Sequence, residues 1–383
     1  MQLILSNATV VLPDQLLRGC VVVQDGRIAE VQSGRSAGAG ALDLEGDILI
    51  PGAVDLHTDN LERQVQPRMN ARWPSRAALL AHDAQCAAAG VTTVFDALCV
   101  GDLGFDEDRG RTCADGIADL EALVPSGLLK CDHFLHLRCE LPAEGMPAQM
   151  QAWAGHKLLR MVSLMDHTPG SGQYGDLDRY RLMRERGGED KASIQHRIDE
   201  LRAQRARLRG PNRLALLALL RTTAGADVAK PILASHDDRT AADIAENLAD
   251  GIKVSEFPVN LAAARAARAG GMAVIAGAPN LVRGSSHSGN VAVAELLAAG
   301  LVDALASDYV PVSLVHAAFA AAETLGLALP AAIALISAAP AHVAGFDDRG
   351  RIAAGQRADL VRVRVHQGLP VIRQVWCAGT RVA

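Results

Sequence analysis

His57 and Asp59 stand two residues apart at the end of the apolar run Ala53-Val54-Asp55-Leu56. In an extended chain, residues i and i+2 point to the same side, so an imidazole and a carboxylate would leave the strand together. These are donors that suit Zn²⁺ or Mn²⁺. The same residue types recur downstream in His136-Leu137-Arg138-Cys139-Glu140, Asp166-His167, His236-Asp237-Asp238, Glu256 and Asp308. A single strand-end His or Asp more often caps a helix than binds metal. Their recurrence after successive β-runs points instead to one shared centre, with His57, Asp59, Glu140, His167, His236, Glu256 and Asp308 as candidate ligands. One or two divalent ions there would lower the pKa of bound water, and a nearby carboxylate would move its proton. Asp308 is the candidate for that proton shuttle as well as for a ligand. Glu140 and His167 compete for the position that would bridge two ions, and Glu140 is preferred. Neither the number nor the identity of the ions follows from residue types, because mixed His and carboxylate sites accept either metal.

The elements that must position these groups follow from the hydrophobic pattern. Eight β-runs end near Leu56, Ala97, Arg138, Met165, Ala234, Phe257, Ala278 and Ser307, and Ala- and Leu-rich helical stretches lie between them. Repeated βα units of this kind predict an α/β fold with a closed (β/α)8 barrel of the TIM type. Active-site residues of such a barrel sit just beyond the strand C-termini, where the candidates fall. An open doubly wound sheet is the alternative, but no Gly-x-Gly-x-x-Gly turn follows the first strand. Short strand-like runs before residue 48 and after residue 346 predict a small β-sandwich built by both termini. The expected organisation is sandwich over 1–48, barrel over 49–345 and sandwich again over 346–383, with a helical insertion near 170–213.

That insertion is basic. From Arg179 to Arg213 the chain carries ten Arg and one Lys against five acids. Ala192 to Leu208 reads as a helix bounded by Gly187-Gly188 and Gly210-Pro211. It serves either as a charged surface hairpin, the preferred reading, or as a flap over a polyanion. The loop after the seventh run, Asn280 to Asn290, offers Asn280, Arg283, Ser285 and His287 to a phosphate. Arg138 should point to the same side as Glu140 and is a second phosphate candidate; Arg63 and Arg68 are weaker ones. Arg72 reads as a surface residue. His82 serves equally as a site group or as a helix-face histidine bonded to a neighbour. His133, His156, His196, His316, His342 and His366 are assigned no chemistry, and Cys139 should face away from Arg138 and Glu140 to pack.

Of the 383 residues, 49% are hydrophobic and only 3% aromatic, and the net charge is −5. Such a balance supports a large α/β core and gives no reason to expect nucleic-acid binding. The start, Met1-Gln2-Leu3-Ile4-Leu5, lacks the pattern of a signal peptide, and no apolar run approaches the roughly 20 residues of a membrane span. Seven dispersed cysteines without paired spacing read as reduced thiols of a cytoplasmic protein. Oligomeric state is not encoded in these patterns, and a homo-oligomer stays open.

The motifs together resemble the amidohydrolase superfamily along almost the whole chain. Ile50 to His57 resembles its first barrel strand, and Gly350 to Val361 its return into the β-sandwich. Members usually carry His-x-His on the first strand and His on the sixth, where this chain has Asp59 and Glu256. Those departures are similar to the phosphonate-metabolism branch. So are the blocks His57 to Glu62, His136 to Glu140, Ser163 to His167, Ala234 to Asp238, Gly277 to Gly284 and Ser307 to Tyr309. The resemblance implies a metal-dependent diphosphatase acting on a small phosphorylated ribose phosphonate. It would cleave a 5-triphosphate between its α and β phosphorus atoms, giving the 5-phosphate and diphosphate. A C–N hydrolase acting on a cyclic amide, N-acyl or deaminase substrate is the rival reading. A metal-binding scaffold protein is the non-enzymatic one.

Overall fold

The computed structural model describes the chain except for residues 1, 37, 39, 69–70, 105–108, 224–229 and 287. Eight parallel strands follow one another in sequence order around a barrel: Ala53–Thr58, Val91–Val100, Asp132–Glu140, Leu159–Met165, Ile232–His236, Val254–Glu256, Ala273–Gly277 and Ala304–Ala306. The first and last strands meet through a parallel bridge between Thr58 and Asp308. Closure is secured by Asp308 N–H donating to the His57 carbonyl (2.9 Å) and Asp59 N–H donating to the Asp308 carbonyl (3.0 Å). The strand ends expected from the hydrophobic runs therefore fall where the strands do end. The second strand is buried along all ten residues, as a parallel strand covered on both faces must be. Val54, Leu56, Phe95, Met161, Ala234, Val254 and Ile275 fill the barrel interior, and a helix layer packs outside.

Both termini contribute to one separate mixed sheet. Its strands run in the order Thr380–Arg381, Leu369–Cys377, Leu360–His366, Ile48–Pro51, Gln2–Val11, Leu16–Gln24 and Arg27–Ser33, with Leu42–Asp43 paired to the long first strand. Its apolar face encloses a core of Leu5, Val10, Val21, Ile28, Leu49, Leu360 and Trp376. Ile28 N–H donates to the Gln356 carbonyl (2.8 Å) and Gly355 N–H to that of Ile28 (2.8 Å), tying the N-terminal edge to the C-terminal segment. All seven cysteines are buried and none forms a disulfide. Cys139 packs its sulfur against Met150, as expected of a residue facing away from the barrel mouth. Among the described residues no helix is long and apolar enough to cross a membrane.

The basic segment is a helical hairpin, Leu177–Arg186 and Lys191–Thr222. Asp176 and Asp190 start the two helices by accepting N–H bonds at their N-termini. The stop expected at Gly210-Pro211 does not occur, because the second helix runs on through Pro211. Packing outweighs the donor lost at proline. Leu216, Leu217 and Leu220 are buried beyond it, and Asn212 donates to the Leu141 (2.8 Å) and Ala143 (2.9 Å) carbonyls. Nor is the hairpin simply solvated. Arg205 pairs with Asp166 (2.5 Å), Arg207 with Glu144 (2.6 Å) and Arg213 with Asp250 (2.6 Å), so much of its positive charge clamps the long helix to the barrel loops.

Between the helix Ser75–Ala88 and the second and third strands lies a fully buried polar chain. Asp83 contacts His133 Nε2 (3.2 Å), His133 Nδ1 meets Asp96 (2.8 Å), and Asp96 accepts from His82 Nε2 (2.8 Å). His82 Nδ1 in turn accepts from Asn60 Nδ2 (3.0 Å). His82 is therefore a structural histidine away from the barrel mouth. Burial opposes the charge on His133, but Asp96 and Asp83 overcome it and push its pKa up to about 10. Burial would likewise raise Asp96, yet His133 and His82 hold it at about 2. His133 titrates near 6.5 when unfolded, so its contribution is complete below that pH and is lost as pH rises through 10. Asp96 contributes above its unfolded value, and that share is lost as pH falls through 2. Replacing His133 by Gln should cost about 3–5 kcal/mol near neutrality, because it strands two buried carboxylates. Urea midpoints measured from pH 6 to 10 should fall steeply for the parent and more gently for H133Q. Parallel slopes would show that His133 is not charged in the fold.

Candidate metal centre and cleft

The seam that closes the barrel sets two carboxylates side by side. Thr58 Oγ1 donates to the Asp308 carbonyl (3.0 Å), and the Asp59–Asp308 backbone bond holds the adjoining residue. Asp308 has φ +54°, a left-handed conformation rare outside Gly and Asn. Asp237 (φ +57°) and Phe257 (φ +54°) repeat the device at the ends of the fifth and sixth strands. Each of the three donates its N–H to a neighbouring strand: Asp237 to Glu256, Phe257 to Ile275 and Asp308 to His57. Left-handed strand ends at three points of one rim aim the side chains into the barrel mouth, as strained residues at functional sites do. Burial, and then the charge of Asp59, raises the Asp308 pKa to about 7. Burial does the same to Asp237, to about 7.

Below these carboxylates sit the imidazoles. His57 Nδ1 lies 3.1 Å from Glu256 Oε1, and its Nε2 is buried without a hydrogen-bond partner. His236 stacks on His57 at 5.5 Å between ring centroids, and its Nδ1 lies 3.5 Å from Glu256 Oε2. Phe257 packs edge-on against both rings and shields them from water. His136 lies beneath, donating from Nδ1 to the Leu56 carbonyl (3.0 Å), with Nε2 2.5 Å from Ser163 Oγ; Ser163 also touches Glu256. Burial drives the His136 pKa down to about 4 and that of His236 well below its usual value, which favours the neutral imidazole in both. Burial alone would raise Glu256, but the imidazoles of His136 and His57 hold it well below the usual carboxylate range.

A second group lies alongside. His167 Nε2 is 3.7 Å from Asp237 Oδ2, and His236 Nε2 is 3.6 Å from the same oxygen. Glu140 does not face this group. Its two oxygens are spent on His167, accepting from the backbone N–H (2.9 Å) and from Nδ1 (2.6 Å). Glu140, the expected bridging ligand, thus lies against His167, whose Nε2 faces Asp237. Asp237 shares this group with His167 and His236, though sequence reasoning left it out of the ligand set. Its neighbour Asp238 shares its residue type but turns inward, accepting from Ser235 (2.6 Å) and Asn247 (2.8 Å).

The structure thus brings together two sets that could hold a cation, His57–His236–Glu256 and His167–His236–Asp237. His57 Nε2, Asp59 Oδ1 and Asp237 Oδ2 are buried polar atoms without a hydrogen-bond partner. Polar atoms buried and unpaired at one barrel mouth, from an imidazole and two carboxylates, are what a divalent ion would satisfy, so the residues fit such an ion. The other clusters of suitable type, around His133, have their nitrogens already paired within the buried chain described above.

Over the centre opens a cleft of about 490 Å³ lined by Asp59, Arg138, His167, His236, Asp237 and Asp308, and also by Arg109, Arg283, Tyr174 and Tyr309. Arg138 is buried and reaches Asp59 Oδ2 at 3.5 Å, its Nε left unpartnered. Arg283 lines the cleft beside the Tyr309 hydroxyl (3.5 Å). Several expected phosphate contacts fall elsewhere. Arg63 donates outward to the Tyr309 carbonyl (2.7 Å), and Arg68 is exposed beyond the short helix Asn60–Val65; neither lines the cleft. Arg109, at the start of the helix Arg109–Leu123 after the second strand, does. Ser285 is exposed, while Ser286 and Ser288 line the cleft, a one-residue offset that sequence cannot resolve in a loop. Asn280 lines it too, but its amide is engaged with Val291 (3.1 Å) and Val293 (3.0 Å) and shapes the loop. His287 lies outside the described residues.

The chain is 39% identical to α-D-ribose 1-methylphosphonate 5-triphosphate diphosphatase of Escherichia coli (strain K12), over 99% of this chain and 100% of that protein. Residues 260–383 match the model of an amidohydrolase family. Among solved structures it is similar in fold to 5-methylcytosine deaminase from Klebsiella pneumoniae, with a TM-score of 0.66 at 15% identity, covering 100% of this chain and 97% of that one. N-acetyl-D-glucosamine-6-phosphate deacetylase from Mycobacterium smegmatis aligns over 100% of both chains, with a TM-score of 0.63 at 18% identity.

Proposed function

Because the chain belongs to the amidohydrolase family, in the branch that contains the α-D-ribose 1-methylphosphonate 5-triphosphate diphosphatase, we propose that it hydrolyses the α–β phosphoanhydride of that triphosphate. The products are the ribose 1-methylphosphonate 5-phosphate and diphosphate. The observation that carries this reading is one cleft joining a carboxylate-rich donor set to Arg109, Arg138 and Arg283. An amide substrate would not call for three guanidinium groups, whereas a polyphosphate does. His57, His236 and Glu256 would hold one divalent ion, Zn²⁺ or Mn²⁺, and His167, His236 and Asp237 would offer a second position, with Asp59 and Asp308 lining the same cleft. A bound divalent ion supplies charge to the phosphoryl oxygens and acidifies water. Asp308 accepts the proton of the water that attacks the α-phosphorus. The arginines neutralise the bridging oxygen as the α–β bond breaks and diphosphate leaves. Seven unpaired cysteines support a reducing compartment, the cytoplasm.

The metal-loaded protein is tested by following the ribose triphosphate with ³¹P spectroscopy in ¹⁸O-water. Diphosphate should appear in step with the 5-phosphate, and the label should enter the 5-phosphate. Stepwise release of orthophosphate would overturn the reading. Faster turnover of cyclic amides or N-acyl amines would transfer the site to C–N hydrolysis.

A further inference from the structure

Most arginines of the hairpin are spent on barrel acids or carbonyls, but Arg179 goes elsewhere. Its guanidinium meets no carboxylate among the described residues and lies directly against Gly289. A Cβ built on Gly289 would fall 1.4 Å from Arg179 Nη1, so position 289 must be glycine for the guanidinium to lie there. Gly289 also has φ +73°, which side-chain-bearing residues rarely adopt. It sits between Ser288 and Asn290, both of which line the cleft. Across the same rim Ser288 Oγ donates to Gln173 Oε1 at 3.4 Å, and Gln173 leads into the helix that carries Arg179. The helix Leu177–Arg186 and the turn before it therefore touch the loop after the seventh strand at two adjacent residues, and Arg179 brings a cation next to, though not among, the residues that line the cleft. Arg283, Ser286 and Ser288 of the same loop line the cleft.

We propose that Arg179 is a substrate-binding residue that, with Arg283, holds the terminal phosphates of the triphosphate, the part that departs as diphosphate. This rests on the diphosphatase reading above and adds to it a role for the hairpin. Arg205, Arg207, Arg209 and Arg213 are already paired with carboxylates of the barrel face, and Arg197 and Arg202 with carbonyls, whereas Arg179 has no such partner among the described residues. A planar guanidinium can take two phosphate oxygens in parallel, which an ammonium cannot match.

Arg179 is exposed, so its replacement should leave the fold intact, which a melting curve checks. Titrating inorganic diphosphate into the metal-loaded protein should show about tenfold weaker binding to Arg179→Gln than to the parent. The KM for the ribose triphosphate should rise by a similar factor, with kcat within about threefold, since binding lost equally from ground and transition states raises KM alone. Arg179→Lys should recover only part of the affinity, and binding of ribose 5-phosphate should not change. Equal diphosphate affinity and equal KM in parent and Arg179→Gln would overturn the assignment while leaving the diphosphatase reading standing. A parent protein that releases no diphosphate from the ribose triphosphate would remove that reading and this one with it.

Discussion

Asp308→Asn is expected to lower kcat by about 10³-fold or more, while the melting temperature and the affinity for inorganic diphosphate stay close to those of the parent. A positioned general base contributes about 10²–10⁴ in rate, and the change also removes a negative charge facing the centre. Asn suits the substitution because it is isosteric and tolerates the left-handed backbone that Asp308 adopts at φ +54°. The seam bonds of this residue run through its backbone, to His57 and Asp59, and survive. Burial beside Asp59 raises the carboxyl to about 7, so neutralising it relieves repulsion and should not weaken the fold. Metal content measured on the same preparation separates loss of a proton acceptor from loss of an ion. Parental activity in Asp308→Asn would end the role proposed for this residue. If Asp237→Asn were then the inactive variant, the proton transfer would belong to Asp237, the other rim carboxyl raised to about 7. A scaffold that merely carries metal would lose no turnover in either variant.

How far the chain could be read before folding depends on the kind of element. The eight strands were legible because β-runs alternate with Ala- and Leu-rich helical stretches, and the period-2 rule places His57 with Asp59 on one side. The sheet shared by the two termini was legible from short alternating runs around turn residues. What failed lies where backbone direction is set by tertiary contacts. Asp237 and Asp238 are the same residue type in succession; the left-handed turn at Asp237 alone decides that one faces His167 and the other faces Ser235 and Asn247. Glu140 sits at a strand end like any ligand, yet the next strand's His167 captures both its oxygens. Arg63, on the short helix Asn60–Val65, misses the cleft while Arg109, at the start of the helix Arg109–Leu123, lines it, a difference carried by helix packing and not by spacing. Pro211 marks a stop by local rules, but three buried leucines beyond it pull the helix onward. Ser286 and Ser288, not Ser285, reach the cleft because a loop has no fixed period.

Glu256→Gln should lower the affinity for Zn²⁺ or Mn²⁺ by about 100-fold or more and take activity down with it, since ligand-orienting partners alone account for about 10–100-fold. The carboxylate is buried at 0% exposure among His57, His136 and His236, held ionised by the imidazoles despite burial. It is the negative charge nearest the His57–His236 pair, with one oxygen 3.1 Å from His57 Nδ1 and the other 3.5 Å from His236 Nδ1. Gln keeps the shape and an oxygen able to accept from His57, so the His57 tautomer and the fold should persist. Only the charge that would balance a divalent ion disappears. In a buried site that loss is decisive, because low effective dielectric magnifies each unpaired charge. The readout is metal per chain after dialysis against a graded chelator, with circular dichroism confirming the fold. Unchanged metal retention in Glu256→Gln would mean that Glu256 serves the histidines as a structural counter-ion, and the ion would then have to be sought at His167, His236 and Asp237.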